Sequence, residues 1–249
     1  MMRRVPALAA VGLTLCGSLG GLCLASTLLL FTERIRQQLI PWLVSYAVGT
    51  LLGVALLALL PQALETLPPP RVLGTLLAGI LAFFILEKLV IWRHCHTEAC
   101  ATHTTAASLV LVGDAFHNFV DGAVIAAAVS SSLDLGVGTA MAVAAHEIPQ
   151  EVGDFAILLN AGYSLRRAFV LNVISALSAV AGALAALAAL QAIPVLIPYI
   201  LSVASASFLY IAMADLIPDL HRGIDARAVR QIVLVCAGIG TIVLAEYVF

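Results

Sequence analysis

Apolar residues run through this 249-residue chain in long stretches, and the polar positions gather in short breaks between them. Crossing the hydrocarbon core of a bilayer takes about 20 apolar residues in a helix. Reading from break to break gives eight such spans, at about 5–31, 40–63, 71–92, 106–130, 135–160, 167–190, 194–219 and 229–248. The pattern predicts an all-α, polytopic transmembrane bundle of about eight helices forming one domain over residues 1–249, with a polar loop at 93–105. Met1-Met2-Arg3-Arg4 before an apolar run could open a signal peptide, but the run from Val5 to Phe31 is too long for a signal core and reads as a first retained span. Pro68-Pro69-Pro70 reads as a stiff turn.

Composition strengthens this picture. The chain is 62% hydrophobic and 10% charged, with a mean hydropathy of +1.09, whereas soluble domains carry about 25% charged residues. Twelve Lys and Arg against 14 Asp and Glu give a net charge of −2, so no basic stripe is available for nucleic acid. Arg34, Arg36, Arg93, Arg166, Arg167, Arg222, Arg227 and Arg230 fall on one set of loops, and Arg3, Arg4 and Arg71 on the other. The excess of positive charge belongs in the cytoplasm, which puts both termini outside. Cys16, Cys23 and Cys236 sit singly in apolar runs and read as small hydrophobes. Leu59-Leu60-Pro61-Gln62 in the second span is echoed by Leu216-Ile217-Pro218-Asp219 in the seventh. Such echoes accompany inverted repeats in transporters, but for four residues coincidence is the better reading.

The informative residues are ionisable groups inside spans. Asp114, His117, Asn118 and Asp121 recur at i, i+3, i+4 and i+7 in the fourth span and share one helical face. In the fifth, His146 pairs with Gln150 and Glu147 with Glu151 at i, i+4, and Asp154 lies one turn past Gln150. A charged side chain at the bilayer centre costs about 2.5–3.5 kcal/mol even on the lenient insertion scale. These groups must therefore face one another, water or a cation, and the short loop around 131–135 makes the two spans antiparallel neighbours. Imidazole and carboxylate are ligands for Zn²⁺ and similar divalent ions, and no Lys or Arg is there to balance the acids. Asp114, Glu147 and Asp154 could relay the ion or take protons. Pro149 removes the backbone bond to the carbonyl of Ala145 and is expected to bend the fifth span beside the cluster.

Gly113-Asp114-Ala115-Phe116-His117-Asn118-Phe119-Val120-Asp121-Gly122 resembles the HNxxD signature of the ZIP (Zrt/Irt-like) metal-ion transporters, and Ala145-His146-Glu147-Ile148-Pro149-Gln150-Glu151 their HExPxE signature. The resemblance extends to Phe84–Lys88, His94–His96 and Asp215–Asp219. It implies uptake of Zn²⁺ or a related ion (Cd²⁺, Fe²⁺, Mn²⁺) into the cytoplasm, with elevator-like movement of one helix bundle against another. Carried over, His117, Asp121, His146 and Gln150 form a primary site, and Asn118, Asp121, Glu147 and Gln150 line a second. Gln150 stands where many members have His or Glu, and the sixth span holds no carboxylate, so one site is expected in place of two.

The loop gathers His94, Cys95, His96, Cys100 and His103, a cluster suited to transient Zn²⁺ binding. Asp215 is a further pathway candidate; Glu87 and Asp219 read as helix-terminal charges, and Asn172 as an interhelical hydrogen bond. The expected setting is a cell membrane, the bacterial inner membrane foremost, with divalent ions and lipid as partners, no nucleic acid, and a homodimer as the assembly. The chain is not expected to be an enzyme. An intramembrane zinc protease is the main rival, since His146-Glu147 begins like HExxH, but Gln150 replaces the second His. A non-transporting metal sensor is the other.

Overall fold

Backbone amides in hydrocarbon can bond only within their own segment or to a neighbouring protein element, and this chain answers with helices throughout. The computed structural model describes residues 4–95, 103–221 and 228–248, and no strand occurs among them. The helices are α1 (Arg4–Leu28), α2 (Glu33–Gly53), α3 (Leu60–Thr66), α4 (Pro69–Cys95), α5 (His103–Ser131), α6 (Leu133–Asn160), α7 (Leu165–Ala176), α8 (Ser178–Ala192), α9 (Ile197–Tyr210), α10 (Ile217–His221) and α11 (Ala228–Val248). Because α2 runs into α3, α7 into α8 and α9 into α10, these form eight rods among the described residues. Six of the rods contain a stretch long and apolar enough to cross a membrane; the other two are α5 and α6, which carry the His and carboxylate residues. At 29 and 28 residues, both are about 40 Å long.

The rods sort into two groups. One contains α1, α5, α6, α7 and α8, and the other α2, α3, α4, α9 and α11; they meet where α2 and α11 pack on α6 and where α9 packs on α5. Close approach inside each group depends on glycine. A Cβ on Gly122 would stand 1.8 Å from the Ala179 carbonyl oxygen, and one on Gly182 1.8 Å from that of Phe119, which locks α5 to α8. In the second group a Cβ on Gly49 would meet the Val235 oxygen at 2.1 Å and one on Gly238 the Tyr46 oxygen at 2.4 Å, which locks α2 to α11.

The connections next to the polar residues are short and capped. The hydroxyl of Ser132 accepts the Leu135 amide at 3.1 Å, so α6 starts one residue after α5 ends. Ser164 caps α7 through the Arg167 amide, and the preceding turn needs the positive φ of Gly162 (86°), which glycine adopts without strain. α6 continues through Pro149.

The echo between the second and seventh spans has a counterpart in the backbone. Val54–Leu59 and Ile211–Leu216 are both π-helical, each six residues long and each leading directly into the segment that holds Pro61 or Pro218. The amides of Leu60 and Ile217 bond five residues back, to Ala55 and Ala212. A proline withholds the i+4 donor from the carbonyl four residues before it, and a wider turn offers the next amide in its place. The first π stretch packs on α9 and the second on α2.

Candidate metal centre

The one-residue turn at Ser132 sets α5 and α6 side by side and antiparallel, so the polar face of one meets that of the other. His117, Asp121, His146 and Glu147 converge there, each offering a ligand atom within 4.8 Å of the rest; among the described residues this is the group of His, Cys, Asp and Glu that could hold a metal ion. Nε2 of His146 lies 3.0 Å from Asp121 Oδ2 and 3.2 Å from His117 Nε2. Nε2 of His117 lies 3.4 Å from the same Asp121 oxygen, and Glu147 Oε1 lies 3.7 and 3.8 Å from the two imidazoles. A tetrahedral Zn²⁺ with ligands at about 2.1 Å places them about 3.4 Å apart. The four atoms match that spacing.

A backbone carbonyl holds His146 from behind. Nδ1 of His146 faces the carbonyl oxygen of Ala142 at 3.0 Å, and only an N–H can satisfy that contact. In its neutral form the ring, with its hydrogen at Nδ1, presents a lone pair at Nε2 toward a carboxylate oxygen and toward the Nε2 of His117. Lone pairs aimed at one another in a low-dielectric interior call for a positive centre between them, and an N–H to carbonyl bond behind a ligating imidazole is how metal sites fix the tautomer. Asp121 Oδ1 and both Glu147 carboxylate oxygens are buried without a hydrogen-bond partner.

The surroundings are unequal. Toward the Ser132 turn, Val124 to Val129 of α5, Leu135, Ala140, Ala142 and Val143 of α6 and Leu201, Ala204 and Phe208 of α9 belong to one buried apolar cluster. The Phe208 ring lies 5.9 Å from that of His146. On the opposite side His117 is 20% exposed, whereas Asp121, His146 and Glu147 are buried. Apolar side chains wall the centre toward the Ser132 end, and His117 is the one of the four with exposed surface.

Of the other residues singled out in the sequence, Gln150 directs its amide nitrogen at Asp114 Oδ1 (3.0 Å). Asn118 donates to Asp114 Oδ1 and to its carbonyl, at 3.1 and 3.2 Å, and its Oδ1 accepts the Ser18 hydroxyl at 2.8 Å. Ser18 of α1 is a neighbour with no signal in the sequence, being a lone hydroxyl in an apolar span. Asp114, Glu151 and Asp154 are buried. Asn172, read as an interhelical hydrogen bond, is buried with neither amide atom paired. The side chains of Glu87, His94, Cys95, His96, Cys100, His103, Asp215 and Asp219 lie outside those described.

Comparison with known proteins bears on the same residues. The sequence model of the ZIP Zinc transporter family matches residues 91–246, which include both polar helices. The chain belongs to the ZIP family. It is 36% identical over 218 residues to zinc transporter ZIP13 of Pongo abelii, covering 81% of this chain and 65% of that protein. Zinc transporter ZIP10 of Homo sapiens is 39% identical over 132 residues, 52% of this chain and 16% of the relative. Zinc transporter ZIP4 of Mus musculus is 47% identical over 119 residues, 48% of this chain and 18% of the relative. This ZIP-family chain thus spans about two-thirds of the first relative's length and under a fifth of the other two.

Proposed function

We propose that this chain carries Zn²⁺ across a cell membrane through the His117–Asp121–His146–Glu147 centre, with the ion as substrate and not as a resident cofactor. The observation that carries the reading is His146, whose Nδ1 is held by a backbone carbonyl while its Nε2 faces Asp121 and His117 at cation-bridging distance. Two imidazoles and two carboxylates suit Zn²⁺ first; Cd²⁺, Fe²⁺ and Mn²⁺ are competitors to be measured against it. The zinc transporters to which the chain is similar support the same substrate.

Direction follows from charge. The ends of α5 and α6 at His103 and Asn160 lie on the Arg-rich side of the bundle, where Arg167 stacks 4.5 Å from the Tyr163 ring and Arg230 4.7 Å from that of Trp42. With that side in the cytoplasm, an ion that passes from the Ser132 end through the centre to the His103 and Asn160 ends is taken up. The relatives named above are vertebrate proteins and lend no support to a bacterial inner membrane. The protease rival loses ground because hydrolysis needs an open coordination position and a free general base, whereas Glu147 is itself one of the four converged ligands.

Zinc-dependent fluorescence inside proteoliposomes tests the proposal. Wild-type protein fills the vesicles, and the His117→Ala/His146→Ala double variant leaves them at the protein-free rate. Equal flux from the two proteins, or metal binding by the wild type with no flux, rejects transport through this centre.

A further inference from the structure

Past the His centre, toward the His103 and Asn160 ends, a second group of polar atoms is buried without partners. They are Asp114 Oδ2, both Glu151 carboxylate oxygens, Asp154 Oδ2, and Oδ1 and Nδ2 of Asn172. Asp114 is tied to α6 by its bond from Gln150, Glu151 is the next residue, and Asp154 lies one turn further on. The three carboxylates are within electrostatic reach of one another. Asn172 comes from α7, which runs antiparallel to α6 after the Gly162 turn, so equal rise on both helices brings residue 172 to within about a turn of Asp154. Its neighbours on the same face, Ala168 and Ala176, pack with Phe155 and Leu158 of α6 and Leu22 of α1, so this face lies against α6 on either side of the level of Asp154. Asn172 itself is fully buried.

These unpaired atoms comprise five acceptor oxygens and one donor nitrogen. Water alone does not balance such a surplus, because three carboxylates in a bundle interior need positive charge as well as hydrogen bonds. All the acceptors are oxygens, the donor set of hard divalent cations. They do not converge as tightly as the His centre, which is the group within 4.8 Å among the described residues, so water completes the shell of an ion held there. A loose station next to a tight one suits a path on which an ion must leave as readily as it arrives.

We propose that Asp114, Glu151, Asp154 and Asn172 form a second divalent-cation station, made of oxygen ligands and water, between the His centre and the His103/Asn160 end of the bundle. It is additional to the His centre and rests on that centre's being a transport site. Glu151 and Asp154 lie four and seven residues past Glu147, about 6 and 10 Å along α6, so the two stations sit one to two turns apart.

Cadmium-113 resonance of the full chain in detergent tests it, because nitrogen ligation shifts the metal signal downfield of an all-oxygen site. Wild-type protein loaded with ¹¹³Cd²⁺ gives two signals. Glu151→Gln/Asp154→Asn removes the upfield signal and keeps the downfield one, which also shows that the variant is folded. His117→Ala/His146→Ala removes the downfield signal and keeps the upfield one. A single wild-type signal, an upfield signal that survives Glu151→Gln/Asp154→Asn, or loss of both signals in either variant overturns the second station. A downfield signal that survives His117→Ala/His146→Ala overturns the His centre instead, leaving the station to be judged on its own variant.

Discussion

At the scale of single residues, the sequence already placed the acids and imidazoles on facing helices, because i, i+3, i+4 and i+7 spacing fixes a face whatever the tertiary structure. It did not say which oxygen or nitrogen goes where. Gln150 and Glu147 are both within reach of the cluster by spacing, and only the packing of α5 on α6 shows Gln150 committed to Asp114 while Glu147 joins the imidazoles. Asn172 was misread for a related reason: a lone amide in a span ordinarily finds an interhelical partner, and helix periodicity carries no information about whether one is there. Two substitutions separate these roles. Glu147→Gln lowers Zn²⁺ affinity by at least about tenfold, the lower end of what even an outer-shell partner is worth, as read by equilibrium dialysis of the purified protein. Gln150→His leaves the helical circular-dichroism spectrum unchanged and shifts competition among Zn²⁺, Cd²⁺, Fe²⁺ and Mn²⁺ toward zinc. An unaltered competition profile would show that Gln150 stays with Asp114 and takes no part in selection.

Elements were legible where the apolar pattern was long and its breaks clear, as between α5 and α6; the expected turn at Pro68–Pro70 is narrower, because Pro69 and Pro70 open α4, where proline's missing N–H has no helical partner to lose. The two π-helical stretches were not, since a few wide turns barely alter a hydrophobic stripe; what could be seen was the pair of prolines that follows them. Nor could the sequence tell which helices touch most closely. That is decided by glycines whose partner lies far along the chain, as with Gly182 and Phe119. The consequence for stability is direct. Gly182→Val forces a Cβ into the Phe119 carbonyl, and overpacking of this kind costs about 1–3 kcal/mol or more. Gly240→Ala, at a position with nothing within 4 Å of the added carbon, is neutral or stabilises by up to about 1 kcal/mol, because alanine is the better helix former. Thermal unfolding in detergent should rank Gly182→Val far below wild type and Gly240→Ala at or above it.

The whole molecule consists of two packed groups of helices, one bearing all the residues of the metal centre and one bearing none. Among the described residues, every glycine whose added carbon would come within 3.0 Å of another side chain or backbone finds that neighbour inside its own group: Gly21 on Glu147, Gly136 on Val129, Gly122 and Gly182 on the α5–α8 contact, Gly79 on Ala206, and Gly49 and Gly238 on the α2–α11 contact. The surface where α2, α9 and α11 meet α5 and α6 has none of these interlocked backbones. We propose that two pieces keyed internally and left unkeyed at their common face glide past each other as solid blocks, taking a cation held between α5 and α6 along with them. A chemical tether from α2 to α6 should therefore halt zinc uptake, and one of equal length from α2 to α11 should leave it running.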